Sequence, residues 1–413
     1  MKEGLIIKLY RERAGLTQTQ LGEGICSVTH VSKIERGNTQ YSSEITNLIC
    51  QRLNIDLQKE KEQYDLLEKK LQEWLEVMVK QQMEDLEQIK KEIEDNTYVH
   101  ISEVQHSYRI LLGRYFILKG NLSKAKDILE NCQSKWNLID RYEKHLLDHT
   151  WGIYYFSLGK SKKAIDYLKN INPIEYNNHE FYYHLACASH QIQAKVKAYH
   201  YGNLALSYFR KTNNFKRTLD TETLMLLQIG YNDIFHFEET VQKYHSLIKT
   251  CHTFKEIAKE TMLWHNLGVE YERKDCYEEA KHAFNNVLEK SKQTNYLKME
   301  LFALRGYIHC SLQLGNYSKT EMSALFAKGK ALAKRQGNET FLHVFYLLEI
   351  MMDTGKNNDY FEFLKTTFLP HLREVGNLSL LSMYEKELFY HYRNTSQYQK
   401  ANEIAARYLE YYG

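Results

Sequence analysis

Apolar residues recur along this chain at spacings of three and four, the period of amphipathic helices. Residues 4–13 set Leu5, Ile6 and Leu9 on one face and Lys8, Arg11 and Arg13 largely on the other, and Gly15 stops the helix. Thr17 is placed to cap the next helix, whose first turn holds Gln18 and Gln20. Ser27 repeats that logic for Val28–Arg36, which turns Val31 and Ile34 to a core and Val28, Thr29, His30 and Lys33 outwards before Gly37 closes it. Ser42 and Ser43 then open a helix carrying Ile45, Leu48, Ile49 and Leu53. From Lys59 to Asp95 nineteen of thirty-seven residues are charged, yet Leu67, Leu71, Trp74 and Met78, then Leu86, Ile89 and Ile93, keep a narrow apolar seam. Such a helical pair fits a connector, or a surface for another protein.

Beyond residue 105 the pattern repeats. Leu112-Gly113, Phe116, Gly120, Ala125 and Leu129 share their offsets with Trp151-Gly152, Tyr155, Gly159, Ala164 and Leu168, and the clearest copy runs from Trp264 through Gly268, Tyr271 and Ala280 to Phe284. Weaker copies centre on Ala186, Gln228, Ile308, Leu348 and Phe389, so anchors lie 34 to 42 residues apart. This spacing predicts about eight tetratricopeptide-like hairpins stacked into a right-handed superhelical solenoid with a concave inner face. Small residues at Gly113, Gly152, Gly268, Ala125, Ala164 and Ala280 let paired helices approach, and Phe116, Tyr155 and Tyr271 are expected to fill the gap to the neighbouring unit. The chain is therefore all-α, divided into a small N-terminal helical domain over 1–56, charged helices over 57–105 and repeats over 106–413.

Counting from the anchors selects side chains for the inner face: Arg114, His309 and Glu349 just after their anchors, His265 and Arg305 three before, Asn232 one turn beyond, and Asn266 two before. An amide can donate to a peptide carbonyl and accept from a peptide N–H, and an arginine clamps a carboxylate. These seven are the expected peptide-binding residues.

Composition narrows the picture. Two prolines in 413 residues suit long helices. The net charge of +3 is neutral in effect, and residues 1–55 carry only two excess positive charges, so bulk charge does not by itself point to a nucleic-acid partner. Seven scattered cysteines without C-x-x-C spacing read as reduced thiols of a cytoplasmic protein, and no apolar run approaches the length of a membrane span. Motifs for catalysis, phosphate cradling or metal binding do not occur, which predicts a protein that is not an enzyme and takes no cofactor or metal.

Leu16-Thr17-Gln18-Thr19-Gln20-Leu21, followed by Val31-Ser32-Lys33-Ile34-Glu35-Arg36-Gly37, resembles the lambda-repressor-like helix-turn-helix family over nearly all of residues 1–55. The short turn Leu21–Ser27 departs from most members and is similar to that of Gram-positive peptide-sensing regulators. The resemblance implies that Val28, Thr29, His30 and Lys33 lie in the major groove, with Thr17, Gln18, Asn38 and Tyr41 on the DNA backbone and Ser27 also among the DNA-binding residues. A reader joined to a tetratricopeptide solenoid resembles, over the full chain, the quorum-sensing group of Rap, Rgg, NprR, PlcR and PrgX, its length being most similar to the NprR branch. That implies a cytoplasmic transcription regulator, a homodimer or higher oligomer, controlled by a short signalling peptide in the groove. The alternatives are a Rap-like protein that binds a response regulator through the charged pair, with Gln63, Gln72, Gln81, Gln82 and Gln88 as its polar contacts, or a prophage or plasmid regulator built from the same parts.

Overall fold

A computed structural model describes residues 2–37, 43–229, 237–294 and 297–412, and the chain falls into two compact units, Met1–Tyr231 and Asn232–Gly413. The first unit opens with four helices: α1 (Lys2–Arg13), α2 (Gln18–Gly22), α3 (Val28–Glu35) and α4 (Ser43–Leu53). Ile7, Leu21, Val31, Ile34 and Ile49 form their core. Leu48, on the same helix as Ile49, is exposed. Helix α1 is two-sided. Ile7 faces the small core while Ile6 joins a larger one built by the helices that follow.

Those helices are α5 (Leu57–Lys80) and α6 (Leu86–Glu94), the charged pair. Asp56 caps α5, its carboxylate accepting from the amides of Gln58 and Lys59. The expected seam of Leu67, Leu71, Trp74, Met78, Leu86, Ile89 and Ile93 is buried throughout. Trp74 donates its Nε1 proton to the Leu86 carbonyl at 3.1 Å and stacks on Tyr108. Burying such side chains contributes about 1.5–3 kcal/mol each. Lys2 reaches Asp65 and Glu68, both at 2.6 Å, so the first helix of the reader is fastened directly to α5.

Three hairpins follow in the same unit: α7 (Ser102–Leu118) with α8 (Leu122–Ser134), α9 (Arg141–Ser157) with α10 (Ser161–Lys169), and α11 (Phe181–Gln191) with α12 (Lys195–Lys211), and then α13 (Phe215–Ile229). The C-terminal end of α5 packs against the last of these: Val79 lies among Ala205, Phe209 and Tyr183, and Asn214 donates to the Val79 carbonyl at 3.0 Å. The second unit comprises α14 (Phe237–Thr253), then α15 (Ile257–Arg273) with α16 (Tyr277–Thr294), and α17 (Leu297–Leu314) with α18 (Lys319–Arg335). It continues with α19 (Glu339–Thr354), α20 (Asn358–Phe363) and α21 (Leu369–Glu374), the last two joined through a π-helical turn at Leu364–Phe368, and ends on α22 (Leu378–Asn394) with α23 (Tyr398–Tyr412). Tetratricopeptide-like hairpins thus build both units.

The small anchors act as expected. A Cβ at Gly152 would lie 2.5 Å from the Leu168 side chain, and one at Gly113 2.7 Å from that of Leu129. Gly306 holds the same relation across hairpins, with 2.4 Å to the Phe284 ring. Gly306→Ala should therefore cost about 1–3 kcal/mol by overpacking, measured as a lower urea midpoint, and an unchanged midpoint would show that the ring yields freely. The aromatics differ from expectation. Tyr155 stacks on Trp151 and Tyr167 within its own hairpin, because its position faces α10. Tyr271 does meet the preceding helix, edge-on to Phe237.

Candidate DNA-reading surface and repeat groove

The reader is organised by its caps. The Gln20 amide donates to Thr17 Oγ1 at 3.2 Å while Gln20 Oε1 accepts from the Thr17 amide at 2.8 Å, a reciprocal box that starts α2. Ser27 accepts from the His30 amide at 3.3 Å and starts α3. Gly37, at φ 69°, ends it. Val31 and Ile34 are buried, and Ser27, Val28, Thr29, His30 and Lys33 all stand on the exposed face. Asn38 and Tyr41 lie outside the described residues.

Beneath that face is an ion pair that periodicity did not reveal. Arg11 Nε and Nη2 donate to Glu35 at 2.5 and 3.0 Å, and Gln18 Nε2 donates to the same carboxylate at 2.8 Å. Arg11, assigned above to the solvated face of α1, is therefore largely buried, with Glu35 raising its pKa against the opposing effect of burial. Gln18 is likewise tied to Glu35 in this structure, where a hydrogen-bond partner at α3 replaces water. Arg52 Nη1 donates to the carbonyls of Leu21 and Glu23 at 2.8 and 2.6 Å and satisfies the end of α2. Glu35 stands within the quoted Val31–Gly37 motif, but nothing in its spacing names Arg11 as its partner.

In the second unit, α15 and α17 bring Arg305 and His309 together on Glu272. Arg305 Nη1 lies 2.6 Å and His309 Nδ1 2.7 Å from the same carboxylate oxygen. Burial opposes ionisation of Glu272, but Arg305 and His309 outweigh it and hold the carboxyl well below its ordinary range. His265 differs from expectation. It sits between Phe284, which it meets edge-on, and Phe302, to which it is tilted, and burial, then Arg305, lowers its pKa to about 4. Its neighbour Asn266 places Oδ1 3.5 Å from His265 Nδ1. Glu349 pairs with Lys330 of the preceding helix, apart from the Glu272 group. Asn232 lies outside the described residues.

Arg114 is the main correction. It is 2% exposed and does not stand free on an inner face. Its Nη2 donates to Glu180, whose second oxygen accepts from Arg217 Nη2 at 2.9 Å. Beside them His149 bonds Tyr176 at 2.9 Å and His184 at 3.0 Å. Burial pushes Glu180 towards protonation, yet Arg114 and Arg217 overcome it and keep the carboxylate ionised. Burial lowers both histidines, which stay neutral. A buried acid sixty-six residues from its arginine leaves no local trace in the sequence.

Among the described residues two groups place potential metal-ligand atoms within 4.8 Å of one another, His149–Glu180–His184 and Glu272–His309–Cys310. In each the carboxylate is already held by a guanidinium, which a cation would have to displace. Among the described residues no helix is long and apolar enough to cross a membrane.

Comparison with known proteins agrees with this architecture. The helix-turn-helix family HTH_3 matches residues 7–59. The transcriptional activator NprA of Geobacillus stearothermophilus is 22% identical over 93% of this chain and 97% of its own length. Response regulator aspartate phosphatase I of Bacillus subtilis strain 168 is 25% identical over 71% of this chain and 78% of that protein. Among solved structures, the apo form of the quorum sensor NprR from B. thuringiensis superposes with a TM-score of 0.69 at 22% identity, covering 84% of this chain and 98% of that one. NprR in complex with its cognate peptide NprX gives 0.62 at 22% identity, over 84% and 99%. The chain thus shares its helical fold with the quorum sensor NprR over 84% of its own length, and its N-terminal helices match the helix-turn-helix family.

Proposed function

We propose that this protein is a cytoplasmic transcription regulator, not an enzyme, that binds operator DNA through α2 and α3 as a homodimer and is controlled by a short signalling peptide bound on its repeats. The observation that carries the reading is the outer face of α3. Val28, Thr29, His30 and Lys33 are presented together by a helix that Ser27 caps, while the face behind them is pinned by Arg11, Gln18 and Glu35. A helix so presented fits the major groove, and a two-fold dimer would read two half-sites. For the peptide, Asn266, Arg305 and His309 supply amide, guanidinium and imidazole groups on adjacent repeat helices. A peptide carboxylate would compete with Glu272 for Arg305. The kinship with NprA, named a transcriptional activator, and with NprR, solved with its peptide, supports both halves. The peptide shifts DNA binding only by its differential affinity for two arrangements of the dimer, a coupling of about 1–3 kcal/mol in comparable systems.

The test is fluorescence anisotropy of the full chain on DNA upstream of its own gene, with and without synthetic peptides from a small secreted reading frame beside it. The double variant His30→Ala, Lys33→Ala is expected to lose tenfold or more in operator affinity, at about 1–3 kcal/mol per direct contact, with unchanged thermal stability. Equal affinity would move the reading surface elsewhere. Titrating Asn266→Ala with the active peptide should show weakened binding, and unchanged affinity would remove Asn266 from the site. A second reading is favoured by the kinship with aspartate phosphatase I and by Gln63, Gln72, Gln82 and Gln88 standing exposed on and around α5 and α6. Phosphate release from phosphorylated response regulators, unchanged on adding the protein, would count against it.

A further inference from the structure

A cleft of about 450 Å³ opens in the first two hairpins, lined by none of the residues of the α3 face. Its lining comes from Gln133 at the end of α8, Trp136 just beyond it, Lys144, His145 and Asp148 along α9, and Tyr167 of α10. Asp148 is 7% exposed. Among the described residues its carboxyl accepts no hydrogen bond, although every other buried acid of this unit has a partner. Glu35, Glu143 and Glu180 are each held by a donor. The charged groups around Asp148 are otherwise engaged. Arg141 and His145 lie 3.0 and 3.2 Å from Glu175, and Lys144 sits over the Trp136 ring at 5.4 Å. Beside the cleft two large apolar side chains stand in water, Leu138 at 73% and Ile174 at 92% exposure, the first in the same turn as Trp136 and the second next to Glu175.

We propose that this cleft receives an alkylammonium group, presented as the lysine side chain of a polypeptide partner, with the Asp148 carboxylate as its counter-charge. A carboxylate largely covered by protein, without a protein donor and open only to the cleft, is poorly compensated, and an ammonium supplies three donors and the missing charge in one group. The aromatic walls at Trp136 and Tyr167 suit the alkyl stem of a lysine as well as its charge. The flanking Leu138 and Ile174 select a polypeptide over a free amine, since they offer apolar area that a small diamine leaves uncovered. Burial raises the Asp148 pKa to about 7, so the carboxyl is charged on the alkaline side of neutrality and ready to meet a cation.

The experiment is isothermal titration of the full chain at pH 8 with two probes, an acetylated and amidated peptide carrying one lysine between two leucines, and 1,6-diaminohexane. The peptide should bind, Asp148→Asn should weaken it at least tenfold while keeping the parent's melting temperature, and affinity should fall between pH 8 and pH 6 as Asp148 protonates. Leu138→Ser with Ile174→Ser should weaken the peptide and leave the diamine unaffected. Equal binding by the Asp148→Asn protein, or no heat from either probe at millimolar concentration, would overturn the proposal. Equal affinity for the diamine, untouched by the leucine and isoleucine changes, would overturn the polypeptide source. An Asp148 titrating near 4 by NMR, and returning towards 7 in a Lys144→Met protein, would make Lys144 the internal occupant and overturn the site.

Discussion

Glu180→Ala is expected to destabilise the protein by about 3–5 kcal/mol, the usual cost of breaking a buried ion pair from one side. Glu180 is fully buried, and it is the shared partner of Arg114 and Arg217. Without it two guanidinium groups stay in the interior. Arg114 Nε and Nη1 and Arg217 Nε have no protein acceptor even in the parent structure. The measurement is a urea midpoint, whose fall at unchanged slope reports stability rather than a changed denatured state. A triple variant, Glu180→Leu with Arg114→Met and Arg217→Met, should recover most of the loss, because replacing a whole buried ionic group by apolar volume is far cheaper than orphaning part of it. If the single variant loses under 1 kcal/mol, water reaches the site and the network is not dry.

The same cluster sets a pH dependence. His149 and His184 have depressed pKa values, from burial first, so the fold binds fewer protons than the unfolded chain. Their contribution is complete above pH 6.5, the ordinary histidine value, and declines as pH falls below it, at about 1.4 kcal/mol per unit for each histidine. The depressed Glu180 adds a loss only below its ordinary carboxyl range, near pH 4.5. Stability should therefore begin to fall at mildly acid pH, and more gently in a His149→Phe, His184→Phe protein.

The second large effect is expected from Arg11→Met. Glu35 would keep only the Gln18 amide, and a buried carboxylate losing its cation costs about 3 kcal/mol or more. The small core of Ile7, Leu21, Val31, Ile34 and Ile49 has little stability in reserve, so the loss should appear locally. Hydrogen exchange should speed up in α2 and α3 while α9 and α15 stay protected, and operator binding should disappear with the disordered recognition face. Retention of DNA affinity within twofold would show that the caps at Thr17 and Ser27 hold the reader without the ion pair. Arg11 spends its guanidinium on Glu35, Glu12 and the Leu16 carbonyl, so a loss of binding reports positioning rather than a missing DNA contact.

Much of this architecture was legible in the sequence. The helices, their caps at Thr17 and Ser27, the buried seam of α5 and α6, and the close approach at Gly113, Gly152 and Gly268 all follow from features within one or two turns of chain. Periodicity and cap chemistry act over that range, and each position carries its own evidence. The exposed face of Val28, Thr29, His30 and Lys33 belongs to the same class, since a helix with one buried stripe must turn its other side outwards.

Tertiary structure decided the fate of the charged and polar side chains. Arg114 was expected on an inner face and is buried on Glu180. Arg11 was assigned to solvent and holds Glu35. Gln18 was given to DNA and also reaches Glu35, while Tyr155 turned to its own hairpin. Each outcome depends on a partner that only the folded chain brings near, and an arginine on a helix reads identically whether water or a buried carboxylate awaits it. Local pattern sets which residues become helix, because that free energy is summed over neighbours. Which charges leave water is set by Coulomb attraction and desolvation between distant segments, and those terms acquire values only once the helices have packed.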